Sequence, residues 1–136
     1  MIDHMTFGVT DFARSVYFYD HAFLPLGVVR LFDVPRAHTE GVKVTGYGDD
    51  RSWLWIAEED ATSGKLHIAP QANDRASVDA FHAAALLAGG TDNGPPGLRP
   101  HYHADYYGAF VLDPDGHNIE AVCHLPPLRS GASDRV

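Results

Sequence analysis

KLHIAPQANDRASVDAFHAAALLAGG, residues 65–90, decides how the chain is read. Leu66–Ala69 is β-prone and ends at Pro70, which predicts a strand. Asp74 is a good N-cap for a helix over 75–88, with Val78, Phe81, Ala85 and Leu86 at helical spacing. Gly89-Gly90 stop it. The same order stands 63 residues earlier: His4 matches His67, Asp11 matches Asp74, Phe18 matches Phe81 and Gly27 matches Gly90. In that first copy Ile2–Val9 reads as a strand and Asp11 caps a helix over 12–24, carrying Phe12, Val16, Tyr19 and Phe23. Pro25 and Gly27 end it.

Each helix is followed by strand-like segments. In the first copy these are Val28–Val34, Val42–Tyr47 and Trp53–Ala57, separated by Pro35, Gly41 and Gly48-Asp49-Asp50. In the second copy, 106–112 and 118–124 are clear strands. The Gly- and Pro-rich stretch 91–100 reads as a loop, with a weaker strand near 90–98. The expectation is an α+β chain with a duplicated unit of strand, helix and three strands. The modules span about 1–62 and 63–125, and 126–136 is expected to be a flexible tail.

Composition narrows the partners. A chain of 136 residues fits one domain with a real core. Its net charge of −8, with ten scattered Lys and Arg, argues against nucleic acid. No apolar run is long enough for a membrane span, and no signal-like start is present, so a cytoplasmic protein is expected. The lone Cys123 excludes an internal disulfide and a thiolate-rich metal site, and reads as a small buried hydrophobe.

Nine histidines are more than the length requires. His4, His67 and Glu120 each interrupt an apolar strand, and the repeat relates the two histidines. A carboxylate inside such a strand needs a partner. A divalent metal satisfies all three groups and keeps three coordination positions open, an arrangement used by non-haem Fe(II) and by catalytic zinc. Such a metal would act as a Lewis acid and template for a small molecule. In RPHYHADYY, 99–107, His101 and His103 alternate with Tyr102 and are candidate acids or bases. His124 shares parity with Glu120 and is a candidate lining residue. Phe7, Trp53 and Trp55 are candidate apolar walls. His21, His38, His82 and His117 read as exposed or helix-face residues.

IDHMTFGVTDFARSVYFYD, the 65–90 segment and GAFVLDPDGHNIEAV together resemble the vicinal oxygen chelate superfamily, which includes glyoxalase I, extradiol dioxygenases, fosfomycin-resistance enzymes and bleomycin-binding proteins. The resemblance implies two tandem βαβββ modules whose curved mixed sheets surround a metal cavity. It puts the metal ligands at His4, His67 and Glu120, with the metal holding two vicinal oxygens of a small molecule, Fe(II) favoured and Zn, Ni, Mn or Co as alternatives. The fourth ligand of glyoxalase I would fall at Trp55, unless a bulge brings in Glu58 or Glu59. The triad then matches the extradiol dioxygenases, and a dioxygenase-like activity is expected, with a glyoxalase-like lyase or a metal-free binding protein as alternatives. The dioxygenase pattern has a Tyr where this chain has Phe110, so Tyr106 or Tyr107 would have to replace it. Thiol transfer of the fosfomycin type would want a K⁺ loop and basic residues, and neither stands out. The family also implies a homodimer.

Overall fold

The computed structural model describes residues 1–60, 62–64 and 66–127. The expected tail, from residue 128 on, lies outside them. The chain runs β1 (Met5–Val9), α1 (Phe12–Phe23), β2 (Val29–Asp33), β3 (Val44–Gly48), β4 (Ser52–Glu58), β5 (His67–Ile68), α2 (Arg75–Leu87), β6 (Thr91–Leu98), β7 (Tyr107–Leu112) and β8 (Asn118–Cys123). Short 3-10 turns occupy Leu24–Leu26 and Arg36–His38.

The helices form where their caps place them. Asp11 accepts the Arg14 N–H at 3.1 Å and Asp74 the Ser77 N–H at 2.7 Å, each satisfying an amide that the first turn leaves open. Gly27, at φ +73°, closes the turn after α1 in a conformation that favours glycine.

The two modules share one topology. Strand order is β1-β4-β3-β2 in the first sheet and β5-β8-β7-β6 in the second. In each, the opening strand lies parallel to the closing one, and the other pairs are antiparallel. The duplicated unit is therefore present as read. The weak strand near 90–98 is a full strand despite two prolines. It is an edge strand whose register slips twice, so the missing N–H groups break few ladder bonds.

Alternation sorts the sheet faces. Val9, Leu54, Ile56, Ile68, Ala109, Val111, Ile119 and Ala121 point into a shared core with Phe18, Phe23 and Phe81. The modules meet through α1, α2 and the Leu24–Leu26 turn. Phe7 belongs to this core, 2% exposed and edge-on to Tyr19 and His117. The expectation that it walls a cavity is corrected, because Phe7 has the opposite parity to His4 and Thr6. Cys123 is buried as expected.

The modules are also joined at the β7–β8 turn. Buried Asp113 accepts the Tyr19 hydroxyl at 2.5 Å and the Asp115 and His117 amides at 3.0 and 2.8 Å. Asp115 accepts the Thr10 hydroxyl at 2.6 Å. His117, expected at the surface, is 1% exposed: its Nδ1 accepts the Leu66 N–H at 3.1 Å and its ring meets Phe7.

Candidate metal and substrate site

The face of the second sheet turned away from α2 carries His67, Phe110 and Glu120. Glu120 reaches it because Gly116, at φ +87°, closes the Asp113–Gly116 turn and sets the β8 register. Phe110 pairs across the ladder with Glu120. The Glu120 side chain is 2% exposed. It is satisfied from two sides: His67 Nε2 lies 2.8 Å from Oε2, and the Tyr106 hydroxyl donates to Oε1. Gly108 makes room for this, since a Cβ there would stand 3.2 Å from Glu120 Oε1. Burial, with the adjacent Glu120 carboxylate, raises the Tyr106 pKa well above the ordinary phenol value, so Tyr106 remains a donor at neutral pH.

These side chains line a cavity of about 350 Å³ with Tyr102 and His103. Tyr106 packs against Tyr102, His103 and His124. The Asp105 amide donates to His103 Nδ1 at 3.2 Å, which leaves the His103 proton on Nε2, directed to His124 Nδ1 at 2.6 Å. His103 and His124 thus form a polarised imidazole pair beside the Glu120 pocket. His101 packs at a tilt on Tyr102, 4.1 Å between ring centres, outside the cavity lining. Tyr107 is turned the other way and donates to Asp79 Oδ1 at 2.6 Å, so its expected catalytic place is corrected. Strand alternation explains why only one of the adjacent tyrosines faces the pocket.

His4 is in a different place. It precedes β1, contacts Asp3 at 2.7 Å, and lines a second cavity of about 270 Å³ with Thr6, Val34, Val44 and Trp55. Among the described residues no three His, Cys, Asp or Glu side chains are grouped to hold a metal ion. The expected triad is therefore not assembled within one chain. The ladder explains the division. Thr6 pairs with Trp55 two residues after His4, and His67 pairs with Asn118 two residues before Glu120, so Trp55 is the counterpart of Glu120. The first module repeats the site with an indole in place of the carboxylate. Trp55 stands edge-on to Phe32, and Trp53 packs towards Phe23. Glu58 ends β4 and pairs with Lys43 at 3.4 Å.

The donor set fits half of a metal centre. His67 and Glu120 present an imidazole nitrogen and a carboxylate oxygen to one point, and a buried carboxylate is stabilised by a cation. Within the described residues of one chain, no third donor joins them.

Comparison with known proteins agrees with this architecture. The family model described as Glyoxalase/Bleomycin resistance protein/Dioxygenase superfamily matches residues 1–121. A metallothiol transferase FosB from Shouchella clausii is 27% identical over 125 residues, covering 88% of this chain and 77% of that protein. A glyoxalase/bleomycin resistance protein from Albidiferax ferrireducens superposes with a TM-score of 0.69 at 31% identity, over 91% of this chain and 98% of that one. The fold is also that of a point mutant of the fosfomycin resistance protein FosX from Listeria monocytogenes, whose crystal holds Mn(II) and 1S,2S-dihydroxypropylphosphonic acid. Its TM-score is 0.65 at 19% identity, over 90% of this chain and 88% of that one.

Proposed function

This chain belongs to the glyoxalase/bleomycin resistance protein/dioxygenase superfamily, and from that premise we propose that it is a divalent-metal-dependent enzyme acting on a small molecule with vicinal oxygens. The observation that carries the reading is the pair His67 Nε2 and Glu120 Oε2, 2.8 Å apart at a cavity of about 350 Å³. In this reading the third ligand is His4 of a second copy, and the working unit is a homodimer. Its support is the separation of His4 from the pair, together with an apolar edge: Val29, Leu31 and Phe32 on β2 are 38%, 40% and 52% exposed. The metal when bound supplies Lewis acidity to the two substrate oxygens. Tyr106 fixes the Glu120 carboxylate, Phe110 keeps water off one side, and the His103–His124 pair accepts or returns a proton at the pocket wall.

We favour transfer of a nucleophile to the bound substrate. The metallothiol transferase relative and Phe110, which stands where a ring-cleaving enzyme would carry a phenol, both support this. One observation favours the dioxygenase-like reading instead: Tyr106 brings a phenol to the same carboxylate.

The test is metal content followed by turnover. Wild-type protein purified without chelator is expected to carry a divalent metal, and His67→Ala and His4→Ala to lose it. A wild-type protein that takes up no Mn(II), Fe(II), Zn(II), Ni(II) or Co(II) would leave only the small-molecule binding role. Mn(II)-loaded protein with fosfomycin and a thiol panel is expected to give a thiol adduct by mass spectrometry. Oxygen uptake by Fe(II)-loaded protein with catechols, and no adduct, would establish the dioxygenase reading instead.

A further inference from the structure

A third cavity, of about 200 Å³, lies between β2, β3 and the start of α1. It is lined by Arg30, Arg36 and Lys43, by Asp33, and by the apolar Phe12, Val34 and Val44. Three of the chain's ten Lys and Arg converge there, in a protein of net charge −8.

The three cations are not equivalent. Arg30 is held by Asp20 at 3.3 Å and Asp33 at 3.8 Å, and Asp33 also accepts the Thr45 hydroxyl at 2.7 Å. Lys43 pairs with Glu58 at 3.4 Å and lies over the Phe12 ring at 6.0 Å. Arg36 has no carboxylate within salt-bridge distance among the described residues. Its backbone, however, is fixed. The Arg36 carbonyl accepts the Thr39 and Gly41 amides at 3.1 and 2.9 Å and the Thr39 hydroxyl at 3.3 Å. A fixed main chain thus presents an uncommitted guanidinium beside two partly compensated cations and an apolar wall.

We propose that this cavity is a binding subsite for a small organic anion, a carboxylate or phosphonate bearing a short apolar body. Arg36 makes the two-point contact with the anion, a planar fork matching two of its oxygens. Arg30 and Lys43 add field, and Phe12, Val34 and Val44 cover the apolar body. Val34 and Val44 also line the His4 cavity, so the two cavities adjoin. A role in holding the substrate's anionic end rests on the metal-site reading; the subsite itself does not.

Phenylphosphonate, titrated into ¹⁵N-labelled full-length protein, tests it. Saturable shifts are expected at Arg36, Lys43, Phe12, Val34 and Val44. Arg36→Ala is expected to weaken binding by about tenfold, whereas Arg51→Ala leaves it unchanged and inorganic phosphate binds more weakly. Equal affinity of wild type and Arg36→Ala, equal affinity for inorganic phosphate, or shifts confined to other cations would overturn the proposal. His67→Ala is expected to bind phenylphosphonate as wild type does. Loss of anion binding in a metal-replete wild type therefore counts against the subsite alone.

Discussion

Glu120 shows how much a single position can carry. Its carboxylate is almost fully buried, yet it takes one bond from an imidazole and one from a phenol. Gly108→Ala tests the tightness of that arrangement. A methyl 3.2 Å from Oε1 and 3.3 Å from the Tyr106 ring displaces the carboxylate, and metal affinity is expected to fall by about tenfold with little change in melting temperature. Calorimetric metal titration of the folded variant measures it. Glu120 and His67 are legible in the sequence because polar residues interrupt apolar strands there. The place of Tyr107 is not, because the facing of adjacent tyrosines depends on a register that composition does not show. The burial of His117 is hidden too, since it depends on the distant Leu66 amide and Phe7 ring.

At the scale of elements, the caps and the 63-residue offset make both helices legible, and the observed α1 and α2 differ from expectation only at their last residue. Strand β6 is harder, since two prolines read as a loop until its edge position is known. Gly90, read as a helix stop, has a second duty. A Cβ there would clash with Val111 Cγ1 and stand 2.7 Å from the Phe18 ring, so Gly90→Ala is expected to destabilise more than a helix-end substitution would. Phe81→Ala, which empties the core centre of α2, is expected to cost about 3–5 kcal/mol in denaturant unfolding. Tyr19 and Tyr47 are pushed to higher pKa, first by burial and then by the nearby Asp113 and Asp20. Both states keep these protons below about pH 10, so stability is full there. Above it the unfolded chain releases protons that the native chain holds, and stability falls as pH rises. Phenolate absorbance at high pH is therefore expected to rise together with loss of far-ultraviolet ellipticity, and Tyr47→Phe to reduce that pH dependence.

For the whole molecule, the sequence leads to a three-ligand site and a dimer without showing where the ligands lie. The fold separates them into two related cavities, because each module builds its own sheet. The composite reading makes assembly and metal binding a single property. Leu31→Asp, on the exposed β2 edge of the first sheet whereas His67 and Glu120 lie on the second, is expected to give monomers in sedimentation equilibrium and to lose metal together with the dimer. Metal retained by the monomer would show that one chain completes the site. The basic cavity is illegible for a simpler reason: Arg30, Arg36 and Lys43 are near neighbours in sequence, but only the fold of β2 and its connection to β3 turns them to one side.

The pairing of Trp55 with Glu120 across the duplication has a consequence for how such a protein diverges over time. One copy of the unit carries a carboxylate at this position and the other an indole, which contributes shape to its cavity. Substitutions around Trp55 can remodel what is recognised while His67 and Glu120 remain untouched. If the metal-site reading holds, the duplication lets the wall of one cavity vary apart from the residues that hold a cation.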